Sequence, residues 1–575
     1  MKTMTSITDL FHPLIKKWFL DSFSSPTDIQ ELAWPLIANK KNVLITAPTG
    51  SGKTLTAFLW FINLFVTKNL PTGVTRVLYV SPLKALNNDI QRNLNQPLQE
   101  IKRIFEDNEK LFPDIRVMTR SGDTSQGDRR KMIRHPPEIL ITTPESLNLL
   151  LSSKSGKEML FHISAVILDE IHAVVGNKRG VHLITAVERL VSLSGEFQRI
   201  SLSATVKKLD LVARFVGGYR MHVKGAHPGY TARPVEIVKS SIQKNYKICV
   251  RFPERSEESV DTSVWDSLAK EFKDSVEKNR STLLFTNGRR LCEKMTYKIN
   301  KLSGSPLAYS HHGSLSKQLR ENVEQNLKKG ELKAIVATSS LEMGIDIGDL
   351  DEVILIQSPP TVSSAVQRIG RAGHHVNMES RGTLYSANPQ DLIPSAVLAK
   401  AIDEQDIEPL HPVQCPLDVL AQILISMTGL ETWDMDELYN FLKTSYSYRN
   451  LARHQYDLVL NMLAGRYSDT RIRELKPRVS IDRLDNTVQG KKGALLALYT
   501  SGGTIPAGAI FNFDTMKPAP ASVNWMRNMS GRPKSARLPL WAPRTGKSCR
   551  SPIMMFLFYL SGTDLWKHPS GLGKG

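Results

Sequence analysis

Short, almost unbroken apolar runs alternate with amphipathic stretches along the first 400 or so residues. VLIT (43–46), RVLYVS (76–81), EILITT (138–143), AVILDE (165–170) and RISLSA (199–204) each end in polar or turn chemistry. Runs of this kind predict strands of a parallel sheet buried on both faces. Segments between them, such as TAFLWFINLF (56–65), read as helices, so a doubly wound α/β domain is predicted to end near Gly217-Gly218. The pattern then repeats, with STLLFT (281–286), KAIVAT (333–338) and EVILIQ (352–357) as strands and helices at 289–300 and 316–329. A less regular bridge, 219–262, separates the two series and holds His227-Pro228-Gly229 and Arg233-Pro234. After about residue 405 no strand is predicted. Three helical stretches within 416–464 (PLDVLAQILISM, MDELYNFLKT and NLARHQYDLVLNML) suit either a winged-helix or helix-turn-helix unit or a plain helical bundle.

A chain of 575 residues exceeds what one core supports, so several domains are expected. Lys and Arg number 75 against 56 Asp and Glu, a formal charge of +19 that suits a polyanionic partner. Hydrophobic content of 41% excludes global disorder. Cys249, Cys292, Cys415 and Cys549 lie far apart, which argues against a disulfide scaffold and a structural metal. No signal peptide is visible, and the greasy run IMMFLFYL (553–560) is far below the roughly 20 residues a membrane span needs. A cytoplasmic protein with no membrane partner is expected.

The chemistry concentrates where strands end. VLIT runs into Ala47-Pro48-Thr49-Gly50-Ser51-Gly52-Lys53-Thr54 and then a helix, a phosphate loop with Ala in place of the first Gly. Glycines let backbone N–H groups close on phosphate oxygens, Lys53 adds a point charge, and the Thr54 hydroxyl suits Mg²⁺. AVIL leads into Asp169-Glu170-Ile171-His172. Paired carboxylates at the end of a buried strand need a cation or a task. Asp169 is expected to hold Mg²⁺ and Glu170 to polarise an attacking water as general base. Ser203-Ala204-Thr205 follows the fifth strand, where hydroxyls suit coupling of a nucleotide site to movement. In the second series, ATSSLEMGIDIG (337–348) offers Gly344 for close backbone approach and Asp346 for a ribose hydroxyl. QRIGRAGH (367–374) offers Arg371 as an arginine finger for the γ-phosphate of ATP. Arg368 suits either a nucleotide contact or an interdomain ion pair. His311-His312 and His374-His375 lack companions at metal-ligand spacing, so packing or nucleic-acid contact is expected there.

The ordered series APTGSGKT, SPLKALNNDI, TTPESL, DEIH, SAT, SLEMGIDIG and QRIGRAGH resembles a superfamily 2 helicase. YVSPLKALNNDI, RSGDT, HHGSLS, the His of QRIGRAGH and SGGTIP (501–506) are similar to the large helicase-related (Lhr) family of bacteria and archaea. The resemblance covers about residues 7–506. It implies two tandem RecA-like domains, 1–218 and 219–405, followed by a winged-helix-like domain, 406–480, and the start of a C-terminal domain, 481–506. It also implies an ATP-dependent helicase or translocase moving 3′-to-5′ on single-stranded DNA or DNA with a 3′ tail, in a DNA-repair setting. An RNA–DNA hybrid partner, an ATP-switched RNA or RNP clamp and an uncoupled truncated ATPase stay open as alternatives. By the same resemblance Gln30 matches a position that reads adenine. Pro82, Lys84, Thr143, Pro144, Thr286, Thr338 and Ser339 match segments that contact the nucleic-acid backbone. His374 stands where the wider superfamily often has a second arginine.

The composition changes near residue 506. Residues 507–575 carry ten Lys or Arg against Asp514 and Asp564, no Glu, and three of the eight Trp. Family members continue instead with a glutamate-rich domain. Back-translation of FDTMKPAPASVNWMRNMSGRPK (513–534), read one frame over, permits the acid-rich RHNETGARIGELDEEYVWEAK. A reading-frame shift near 506 is therefore expected, with a divergent basic tail as the alternative; in either case 507–575, an aberrant basic tail, is expected to form no compact domain.

Overall fold

The computed structural model describes residues 6–48, 50–82, 84–224, 227–242, 244–253, 263–342, 350–372, 379–466 and 476–501. Of residues 84–93, 223, 224, 227, 317 and 501 it describes the backbone alone. Two compact units are present, one comprising 1–415 with 436–451 and the other 416–435 with 452 onward.

The first unit holds two parallel sheets. In the first lobe β1 (Val43–Thr46), β2 (Val77–Val80), β3 (Val117–Arg120), β4 (Ile139–Thr142), β5 (Ala165–Leu168) and β6 (Gln198–Ser203) follow in chain order. β7 (Tyr219–Lys224) and β8 (His227–Ala232) form a separate antiparallel hairpin, and β9 (Glu236–Lys239) returns to the first sheet. The resulting order is β3-β4-β2-β5-β6-β1-β9. Successive residues of each central strand serve opposite layers, as the pleat requires. Val43 and Ile45 pack on one side with Ile167 and Phe58, while Leu44 packs on the other with Val166 and Leu168.

The second lobe is built alike. β10 (Tyr246–Arg251), β11 (Thr282–Thr286), β12 (Ala308–His311), β13 (Ala334–Ala337), β14 (Glu352–Ile356) and β15 (Ser380–Tyr385) give the order β10-β15-β14-β11-β13-β12. All pairings are parallel. Residues 219–262, expected to be an irregular bridge, therefore contain a hairpin and one edge strand for each sheet. Their alternating polar residues suit edges and conceal them from a search for continuous apolar runs. Because β9 pairs with β1, the first sheet extends past the border expected at 218.

Residues 436–451 also pack within the first unit. Tyr219 N–H donates to Thr444 O (2.8 Å), Tyr230 Oη donates to Asn440 O (3.0 Å), and the Arg449 guanidinium lies 4.2 Å from the centre of the Tyr230 ring. Phe215 meets Tyr446 edge-on at 6.1 Å.

In the second unit the helices Leu417–Thr428 and Arg453–Leu463 accompany a small antiparallel sheet. Its strands are β16 (Trp433–Asp434), β17 (Val479–Asp482) and β18 (Thr487–Gly490), in the order β16-β18-β17. The expectation that strands cease after 405 is corrected by this sheet. Its strands are short and mostly polar, and carry too little apolar pattern to be read in advance. The border expected at 480/481 falls inside β17.

Candidate nucleotide site

All strands of the first sheet point the same way, so the loops after β1, β5 and β6 meet along one edge. Such an edge is where open α/β sheets bind ligands. After β1 the chain turns through Gly50 (φ +83°) and Gly52 (φ +81°) into the helix Lys53–Val66. Both glycines occupy the left-handed region that other residues adopt at a cost. A Cβ on Gly52 would lie 3.1 Å from Gln30 Nε2, so the loop is shaped against that amide. Gln30 is itself buried, and its Oε1 accepts from Thr27 N–H (2.9 Å). Thr27 Oγ1 donates to Ser51 O (3.1 Å), fixing the start of the Gln30 helix to the loop.

Lys53 Nζ donates to the loop carbonyls of Ala47 (2.6 Å) and Pro48 (2.7 Å). Burial lowers its pKa; the charges of Glu170 and Asp169 oppose that shift, and Arg371 adds to it. Both lobes belong to one compact unit.

Asp169 and Glu170 are both buried at the end of β5. Tyr79, on neighbouring β2, donates its hydroxyl to Asp169, whose other oxygen accepts from Glu170 N–H (2.9 Å). Burial and the Glu170 charge push the Asp169 carboxyl well above its ordinary range, against the Tyr79 hydrogen bond. Excess negative charge among oxygen donors is the environment a hard divalent cation relieves. Asp169, with Thr54 on the adjoining helix, therefore fits Mg²⁺. Glu170 adopts φ +44°, a strained value for a non-glycine residue and common at functional turns.

His172 links three motifs. Its Nδ1 accepts from Ala204 N–H (3.2 Å) and lies 3.3 Å from Glu170 Oε2. Its Nε2 lies 2.8 Å from Gln367 Nε2 of the second lobe. Burial lowers the pKa of His172, favouring the neutral ring. Ser203-Ala204-Thr205 thus meets His172 through the Ala204 backbone, while the Ser203 hydroxyl donates to Ala204 O (2.8 Å).

On the second lobe Arg371 is buried, with Nη2 (2.9 Å) and Nε (3.2 Å) both donating to Glu342 O. Arg368 pairs with Glu342 Oε2 (3.0 Å), donates to Asn287 Oδ1 (3.0 Å) and lies over the Phe285 ring, all within its own lobe. The expected strand-contact residues stand at strand ends. Thr143 caps the helix that begins with Pro144, and both are buried. Pro82 O accepts from Arg179 (2.8 Å). Thr286 is buried and donates to Gly288 O (3.2 Å), whereas Thr338 is half-buried and Ser339 exposed. Lys84 opens a helix whose backbone alone is described there. Thr49, Gly344, Asp346, His374 and the whole of 507–575 lie outside the described residues. His311 pairs with Glu324 (2.9 Å) and Ser340 (2.8 Å), and His312 with Glu293 (2.6 Å).

Two parallel-sheet lobes carrying these loops define the class of two-lobed P-loop helicases. Residues 27–212 match the DEAD/DEAH box helicase family, 263–375 the helicase conserved C-terminal domain, and 400–522 the winged helix domain of large helicase-related protein. The structure of Mycobacterium smegmatis helicase Lhr bound to ssDNA and AMP-PNP is similar at TM-score 0.82 and 40% identity, covering 94% of this chain and 68% of that one. The ATP-dependent helicase Lhr-Core of Saccharolobus solfataricus is 39% identical over 88% of this chain and 58% of its own length. The Lhr helicase/uracil glycosylase of Escherichia coli is 38% identical over 88% of this chain and 36% of its own. The chain belongs to the large helicase-related (Lhr) family, and it spans between about a third and three fifths of these curated relatives' lengths.

Proposed function

We propose that this chain hydrolyses ATP to move 3′-to-5′ along single-stranded DNA, as a helicase or translocase in DNA repair. The observation that carries the reading is the phosphate-loop Lys53 and the buried Asp169 and Glu170 on one lobe, with His172 of that lobe 2.8 Å from Gln367 on the helix that leads to Arg371 on the other. Gly50, Ser51, Gly52 and Lys53 would cradle the phosphates, and Gln30 would read the adenine edge. Glu170 would take the proton of the attacking water, and Arg371 would meet charge developing on the γ-phosphate. Asp169 and Thr54 would hold Mg²⁺, which when bound screens phosphate charge. Strand-end hydroxyls at Thr143, Thr286, Thr338 and Ser339 suit backbone contacts that grip without reading sequence. The similar M. smegmatis structure, bound to ssDNA and AMP-PNP, supports DNA as the track. If each lobe grips the strand, closing and opening the cleft moves one grip relative to the other.

The test compares ATPase rates on single-stranded DNA and RNA of equal length. DNA should stimulate more, and Lys53→Ala or Glu170→Gln should abolish turnover while leaving much of the strand binding. Full turnover in both variants would remove the mechanism.

A further inference from the structure

Residues 240–245 join the two sheets, and their first end is fastened beside the nucleotide site. Ser240 N–H donates to Thr46 O (3.0 Å), at the end of the strand that feeds the phosphate loop. Asp28 Oδ2 accepts from Ser240 Oγ (2.8 Å), Ser241 N–H (2.7 Å) and Ser241 Oγ (3.1 Å). Asp28 opens the helix that carries Gln30. Burial pushes its carboxyl up, but these donors outweigh burial and hold it below its usual value. At the far end, Asn245 O accepts from Ser380 N–H (2.9 Å) of the second sheet.

Between these anchors stands Lys244, only 5% exposed. Its Nζ donates to Gly370 O (2.9 Å) and Ala372 O (3.4 Å), the carbonyls on either side of Arg371. Burial and the Arg371 guanidinium bring its ammonium down to about 8. Burying one cation beside another is costly, and an apolar side chain would pack there without that cost. What Lys244 provides is a three-donor group reaching two carbonyls of one turn.

We propose that Lys244 is a positioning residue for Arg371. It fixes the Gly370–Ala372 turn to the linker, and the linker's hold on Asp28 and Thr46 ties that placement to the lobe that would bind nucleotide. The inference rests on the proposed ATPase reading. Its test uses the full chain and DNA-stimulated ATP turnover. Lys244→Met keeps the stem and removes the donor, and kcat should fall about tenfold with KM for ATP changed less than about twofold. Lys244→Arg, which can still donate to both carbonyls, should recover most of the loss. In an Arg371→Ala background, Lys244→Met should cost less than about twofold more, because the two act as one unit. If Lys244→Met lowers the unfolding midpoint, Lys244→Gln, which keeps a donor, should lie between wild type and Met in kcat. Equal losses in both backgrounds, an unchanged kcat or a rise confined to KM would overturn the proposal. A wild-type chain with no DNA-stimulated turnover would instead overturn the ATPase reading beneath it, a result visible before any variant is made.

Discussion

Replacing Tyr79 by Phe removes one hydroxyl from the site, the donor to Asp169. The ring should stay in place, because Phe58 stacks on it with centroids 5.0 Å apart. Burial and the neighbouring Asp169 raise the phenol's pKa well above normal, so it remains a donor throughout the working range. A hydrogen bond to a charged acceptor contributes about 1.5–3 kcal/mol, and 1.36 kcal/mol corresponds to one pKa unit. Without the hydroxyl, the Asp169 carboxyl, already raised by burial and Glu170, should rise by about one to two units more. A protonated carboxyl is a poor ligand for a hard cation, so the acid limb of the ATPase pH profile should move to higher pH by a similar amount. Rates should converge with wild type on the alkaline side, and added Mg²⁺ should recover the loss near neutrality. Stability has a definite sign as well. A carboxyl whose folded pKa is raised favours the native state when protonated, so its contribution is lost as pH rises through that pKa. Mg²⁺ should therefore raise the unfolding temperature more on the alkaline side than on the acid side. Steady-state turnover at saturating DNA, measured across pH and Mg²⁺ concentration, is the assay. Superimposable acid limbs would refute the reasoning.

Gln367→Ala removes the contact with His172 across the cleft, and a hydrogen bond of about 1 kcal/mol predicts a roughly fivefold fall in kcat with nucleotide binding little changed. Glu188 is buried between Arg199 (2.8 Å) and Arg233 (3.0 Å). Glu188→Ala leaves two guanidinium groups without this partner and should cost about 3–5 kcal/mol, read as a lower urea midpoint for the first unit. Gly52→Ala places a methyl 3.1 Å from Gln30 Nε2 at φ +81°, so calorimetry should show weaker binding of a non-hydrolysable ATP analogue with the helix content preserved.

The central strands were legible because burial on both faces leaves an uninterrupted apolar run, as in Val43–Thr46 and Ala334–Ala337. β3, β10 and β12 were not, since edge strands such as VMTR, YKICVR and AYSH keep polar residues where no layer covers them. Lys53, Asp169, Glu170 and Arg371 stood out because each follows a strand or lies in a dense motif. Tyr79 was hidden as one more large residue in an apolar strand; only the position of its hydroxyl shows its task. Lys244 lies in no motif, and its partners are backbone carbonyls 126 and 128 residues away, which residue types cannot reveal. Arg368 could be read in two ways from sequence, and Glu342, which occupies it in the structure, carried no signal on its own.

The packing of 436–451 within the first unit also bears on how the chain tolerates being shortened. The polypeptide passes between units after 415, 435 and 451, so a cut at the first crossing removes more than an appendage. It would strip the carbonyl from Tyr219 N–H, the cation from the Tyr230 ring and the aromatic neighbour from Phe215, baring a sticky face on the two-lobed part. A minimal two-lobed version should therefore be insoluble or aggregate unless residues up to 451 travel with it.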